Sequence, residues 1–131
     1  MIIEPPSGTL LDLSWEFLLE AAKDAGHYAI GVDLNQDNDQ PGSVLTSMVK
    51  RVDTACYMTV QSVVDGSFQG GSTAYLTVAD GGVSLTDFSV IKEALGDQFP
   101  QEILDKVQEL SDKITSGEIV VENYDGFGPQ N

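Results

Sequence analysis

Apolar residues recur at three- and four-residue spacing from Leu11 to Ala25, at Leu11, Trp15, Leu18, Leu19, Ala22 and Ala25. That is the period of a helix with one buried stripe. Asp12 or Ser14 can cap its start, and Gly26 supplies a left-handed residue just past its end. Trp15 and Phe17 are expected to fill core or lobe-packing space, as aromatic residues at helical spacing mostly do. The short apolar run Tyr28 to Val32 reads as a strand that delivers Asp33 into an acidic, amide-rich loop closed by Pro41 and Gly42. A second strand, Val44 to Val49, ends on Lys50. The period then changes to 3.6, with Val52, Ala55, Cys56, Thr59, Val60, Val63 and Val64 on one face of a helix stopped by Gly66. Cys56 on that face is expected to be an inert core thiol.

Further along, Ser72 to Val78 alternates polar and apolar positions as a half-buried strand should. Asp80, Gly81 and Gly82 predict a turn. Asp87 or Ser89 can cap a short helix running through Leu95 and ended by Gly96. The last helix starts near Pro100 and carries Ile103, Leu104, Val107, Leu110 and Ile114 up to Gly117. Glu102 with Lys106, and Glu109 with Lys113, are spaced to pair on its wet face. Ile119 to Val121 is expected to add a terminal strand. At the two ends, Pro5 and Pro6 before Ser7, Gly8 and Thr9 predict a loop, and residues 122–131 a polar tail.

Composition narrows the function classes. A chain of 131 residues fits one domain, and no apolar run approaches the roughly 20 residues of a membrane span. Six basic against 21 acidic residues, a net charge of -15, argue against nucleic acid and anionic lipid as partners. A single cysteine excludes an internal disulfide and a cysteine metal cluster. No signal peptide or lipid-attachment cysteine is read in the chain as given.

Candidate chemistry centres on Asp33 and Lys50. In open α/β sheets small ligands sit beyond the carboxyl ends of strands, so both residues could face one crevice. A strand-end aspartate capping nearby backbone and a lysine paired at a hinge are the plain alternatives. The loop DLNQDND invites comparison with a calcium loop, but the required glycine and bidentate glutamate positions hold Asn38 and Val44, so no metal site is expected. His27 reads as a solvated turn residue. With one histidine, one cysteine and no carboxylate pair beside a nucleophile, no catalytic constellation assembles, and no cofactor is implied. The enzymatic alternative is a metal-dependent hydrolase on Asp33, Asp37 and Asp39.

Five blocks carry a family resemblance: AIGVD at Ala29 to Asp33, VLTSMVKRVD at Val44 to Asp53, VDGSFQGG at Val64 to Gly71, DGGVSLTDFS at Asp80 to Ser89, and EILDKVQELSDKITSGEIVV at Glu102 to Val121. Together, in this order, they resemble the basic membrane protein family, the purine nucleoside receptor-type lipoproteins that serve as substrate-binding components of ABC importers. The resemblance implies an α/β fold, the C-terminal portion of a three-layer α/β/α type I periplasmic-binding protein. Residues 1–121 would form the C-terminal lobe and a hinge-crossing segment, and 122–131 the tail. It places Asp33 on the ribose hydroxyls of a nucleoside and Lys50 near the same sugar, with Gly8 and Thr9 in a loop at the cleft. It implies a non-catalytic receptor, extracytoplasmic or membrane-anchored, working with an ABC permease. A first lobe, with its base-stacking aromatic, is missing from the match. The helix from Val52 to Val64 and the run from Ser72 to Val78 would then lack a partner, inviting self-association. The alternative is a free-standing intracellular α/β regulatory or scaffold domain derived from such a receptor.

Overall fold

The computed structural model describes residues 11–121, with side chains described from Phe17 onward. Two compact units divide the chain, one ending at Pro100 and the other beginning at Gln101. The first unit opens with α1 (Leu11–Asp24), whose stripe buries Leu19. Its stop is the one the sequence predicts. Gly26 adopts a φ of +68° and donates to the Lys23 carbonyl at 2.9 Å, while the His27 N–H reaches the Ala22 carbonyl at 2.8 Å. This pair of bonds satisfies carbonyls that the helix end would otherwise orphan. Helix α2 (Val52–Val64) ends in the same way at Gly66, with Gly66 donating to Val63 and Ser67 to Ser62. Trp15 and the capping candidates Asp12 and Ser14 lie outside the described side chains. Phe17 is 65% exposed, so the expectation that it fills the core of this chain fails.

Strands β1 (Ala29–Asp33) and β2 (Val44–Lys50) form a parallel pair, each shifted by one residue or less from its expected bounds. Parallel neighbours usually need a helical crossover of a dozen or more residues. Here the connection is the compact loop 34–43, drawn tight by its own bonds: Asp39 N–H to Gln36 O, Ser43 and Val44 N–H to Gln40 O, and Ala29 N–H to Ser43 O. The register slips between Ala29 and Ile30, where that last bond ties the loop's end to the strand's start. Strand β3 (Val83–Leu85) lies antiparallel on the other side of β2, giving the order β1-β2-β3. Three residues are too few to display alternation, so β3 was not foreseen. The buried apolar residues of this unit are Leu19, Val44, Phe88 and Ile91.

Four expectations need correction. Ser72 to Val78 is not a strand, because among the described residues no neighbour pairs with its backbone. Tyr75 is 77% exposed, and the run ends in a turn where the Thr77 N–H and Oγ1 both donate to Asp80 Oδ2, at 2.9 and 2.7 Å. Those bonds, the hydroxyl's first, hold the Asp80 carboxyl below its ordinary range. Ile119 to Val121 likewise forms no strand. Helix α2 buries none of its residues, so Cys56 is an exposed thiol rather than a core one. The pattern of α2 reports a face made for burial, and among the described residues nothing covers it. The fourth correction concerns one ion pair of the last helix.

Helix α3 (Ser89–Leu95) ends at Leu95 as predicted, but Phe88 rather than Asp87 or Ser89 holds its N-cap position, with no side-chain capping bond. The Ser89 N–H donates to Asp87 Oδ1 at 3.0 Å, and Phe88 turns left-handed to enter the helix. A 3-10 turn, Gly96–Gln98, follows it. The second unit contains α4 (Gln101–Thr115), with Gly117 left-handed just past its end. Glu109 pairs with Lys113 as expected, but Lys106 turns to Glu109 rather than Glu102, both contacts at 2.8 Å. The two lysines, Lys106 first, hold the Glu109 carboxyl down to about 2. The tail 122–131 lies outside the described residues.

Candidate functional site

Because β1 and β2 run parallel, their carboxyl ends meet at one edge. Asp33 ends β1, Lys50 ends β2, and the register pairs Asp33 with Val49, leaving Lys50 one step beyond. Lys50 Nζ sits 2.8 Å from Asp33 Oδ1. Both side chains remain more than half exposed, at 60% and 57%, so the pair faces solvent at the sheet edge rather than sealing a core. Asp33 and Lys50 therefore lie side by side at one edge of the sheet. Asp33 has a φ of +71°, and the Leu34 N–H bonds back across it to the Val32 carbonyl at 2.9 Å. A bond spanning two residues around a positive φ is the rarer, strained form of γ-turn, tolerated better by aspartate than by most residues.

Beneath this edge runs a buried polar network that sequence reasoning missed. Ser47 is fully buried and Asp37 is 2% exposed. The Ser47 hydroxyl donates to Asp37 Oδ1 at 2.6 Å and accepts the Gln36 N–H at 3.0 Å. Gln36 Oε1 in turn accepts the Val32 N–H at 3.0 Å. Toward β3, the Ser47 N–H donates to Thr86 Oγ1 at 2.9 Å, and the Thr46 and Thr86 hydroxyls lie 2.8 Å apart. Close approach is made possible by Gly31. A Cβ there would run into the Ser47 hydroxyl and lie 2.9 Å from Ser47 Cβ and 3.1 Å from Gln36 Cβ. The available signal was Thr46-Ser47 in the middle of an otherwise apolar strand, since buried hydroxyls need partners.

Asp37 is thus turned inward while Asp33 faces outward to Lys50, and the three loop aspartates do not converge. Among the described residues no three histidine, cysteine, aspartate or glutamate side chains gather to hold a cation. Gly8 and Thr9 lie outside the described residues. His27 is exposed, as expected of a solvated turn residue. No helix among the described residues is long and apolar enough to cross a membrane.

Residues 11–125 match the family described as ABC transporter substrate-binding protein PnrA-like. The chain belongs to that family. Basic membrane protein D of Borreliella burgdorferi is 35% identical over 84% of this chain and 33% of its own length. An uncharacterized lipoprotein of Pyrococcus abyssi is 32% identical over 70% of this chain and 29% of its own. The chain therefore spans about a third of the length of these curated relatives. Among solved structures, a transcriptional activator of the comK gene from Bacillus halodurans aligns with a TM-score of 0.69 at 26% identity, over 89% of this chain and 38% of that one. The ABC transporter system solute-binding proteins from Aeropyrum pernix K1 align at 0.63 and 24%, over 88% and 40%, a likeness of fold. The α/β fold expected from the sequence blocks is the fold this PnrA-like chain has, and it matches part of a solute-binding protein. The family description is one of binding rather than catalysis.

Proposed function

We propose that this chain supplies the sugar-holding side of a nucleoside site in the solute-binding component of an ABC importer. Asp33 accepts the two adjacent ribose hydroxyls, and Lys50 donates to ribose oxygens or fixes the carboxylate. The observation that carries this reading is the 2.8 Å contact between Lys50 and Asp33 at the carboxyl ends of neighbouring parallel strands, where α/β sheets hold ligands. An exposed ion pair stabilises a fold by about 1 kcal/mol at most, and the left-handed backbone at Asp33 works against stability. Neither feature recommends itself as a staple; both suit a carboxylate held ready for hydroxyl donors.

The base is held from elsewhere. Relatives about three times as long leave room for a second lobe, and the uncovered face of α2 with the run 72–78 is the surface it would cover. In this reading residues 1–121 are one lobe with its hinge segment, 122–131 a tail, and Gly8 and Thr9 part of a loop at the same cleft. The lipoprotein relatives favour an extracytoplasmic place beside a permease. Alone, the chain binds weakly, with a dissociation constant in the millimolar range.

A thermal-shift screen at about 10 mM ligand tests this. Ligand at tenfold above its Kd adds about 1.4 kcal/mol to stability by linkage. Inosine, adenosine and ribose are expected to raise the Tm, and nucleobases and 2-deoxyribose to leave it unchanged. Asp33→Ala and Lys50→Ala should remove the shift; one that survives both removes the site. Micromolar binding by calorimetry would overturn the half-site.

A second reading rests on the likeness to the Bacillus halodurans protein described as a transcriptional activator. There the chain acts as a regulatory α/β domain that answers to the same class of ligand. The genomic DNA flanking its reading frame separates the two: an in-frame export signal and first lobe eliminate regulation inside the cell.

A further inference from the structure

We infer that Ser47 and Asp37 form a buried brace whose task is to position the Asp33 carboxylate against Lys50 at the sheet edge. The inference rests on the reading of Asp33 as the sugar-holding carboxylate. It begins from an anomaly of burial. Among the described residues Asp37 is the one carboxylate taken out of water, in a chain with 21 acidic residues, most of which face solvent. Burying a carboxylate is unfavourable unless donors surround it. The donor Asp37 finds is the Ser47 hydroxyl at 2.6 Å, from a residue with no exposed surface. The loop could have been closed with an apolar residue at far less desolvation cost.

A continuous path of hydrogen bonds leads from that pair to Asp33. The Ser47 hydroxyl holds the Gln36 N–H at 3.0 Å, and the Gln36 side chain holds the Val32 N–H at 3.0 Å. Val32 directly precedes Asp33, and its carbonyl closes the strained turn by accepting the Leu34 N–H at 2.9 Å. Asp37 itself is oriented by the Asn35 side chain, which accepts its N–H at 3.0 Å. From the other side Thr86, the residue just past β3, fixes Ser47, through Thr86 Oγ1 at 2.9 Å and the Thr86 N–H to Ser47 carbonyl bond at 3.0 Å. The floor of the path is therefore anchored on β2 and on the residue that follows β3, and its end is the one non-glycine residue of β1 with positive φ. Strain at a residue persists when its surroundings over-determine it. Asp37 and Ser47 are that surrounding, and both are positioning residues that need not touch ligand.

The test follows the Asp33 side-chain carboxyl carbon by NMR in the 131-residue chain. In the parent, Lys50→Ala should move this resonance, reporting the contact. In an Asp37→Ala background the same substitution should move it less than half as far, with circular dichroism unchanged. Asp37→Asn keeps an oxygen to accept from Ser47 and should restore the response. Ser47→Ala should repeat the loss, and decides the matter if Asp37→Ala does not fold. A full Lys50-dependent change in both backgrounds would overturn the brace. Titrating the parent with inosine to about 10 mM separates the two ideas. Silence of the Asp33 resonance refutes the nucleoside reading, while the Lys50 response still judges the brace.

Discussion

The sheet edge around β1 and β2 and the helix α2 belong to the same compact unit and are made of similar amounts of apolar sequence, yet they end up in opposite environments. Around β2 the chain buries Val44, Thr46 and Ser47 and satisfies every hydroxyl it buries. Along α2, Tyr57, Val60, Val63 and Val64 stay open, and the helix has neither a side-chain cap at its start nor a buried residue along its length. The contrast separates two meanings of a hydrophobic pattern. A pattern declares which face is meant to be covered; whether it is covered depends on a partner. In β2 the partner strands are within a few dozen residues, whereas α2's face finds none among the described residues.

The largest effect that could break this comparison is a core deletion. Ile91→Ala should lower stability by about 2–5 kcal/mol in urea denaturation, whereas Val60→Ala on α2 should change it by less than about 0.5 kcal/mol. Equal costs would mean that α2's face is covered in solution. Next comes Gly31→Ala, which pushes a methyl group into Ser47 and Gln36 and should cost about 1–3 kcal/mol, read by the same denaturation.

The smallest effect concerns acid. Arg51 grips Asp53 through two bonds, Nε at 2.9 Å and Nη2 at 2.8 Å, and chiefly through them holds the Asp53 carboxyl down to about 2 from its ordinary 3.8. A carboxyl whose folded value is depressed contributes stability above its ordinary value and loses it as pH falls toward the folded one. Helical signal in the parent should therefore exceed that of Asp53→Asn slightly above pH 4, and the gap should close by about pH 2. A gap that widens in acid would show that Asp53 does not anchor the start of α2.

Much of the fold was legible, and the exceptions have physical causes. Helices α1, α2, α3 and α4 were readable because 3.6-residue periodicity and the glycines that stop it are local signals. Strands β1 and β2 were readable as short apolar runs between turn residues. The alternation of Ser72 to Val78 misled, because a strand is a property of two segments and only one was visible. Strand β3 escaped for the converse reason: β2 recruits it, and its own three residues say little. At the site, the shared edge of Asp33 and Lys50 could be anticipated from strand ends alone. Asp37 could not, since a carboxylate in DLNQDND looks the same in sequence whether it faces water or a buried hydroxyl. Cys56 was misplaced by the assumption that an apolar helical face finds cover within its own chain.

The connection 34–43 has one more consequence, for the order in which the chain acquires structure. Joining parallel strands without a helix keeps their contacts between residues close in sequence, and short loops are entropically cheap to close. The bonds from Thr46 and Ser47 to Thr86 span some 40 residues and must wait for a much larger closure. The corner that presents Asp33 beside Lys50 is thus suited to nucleate early during synthesis, with β3 docking onto it afterwards.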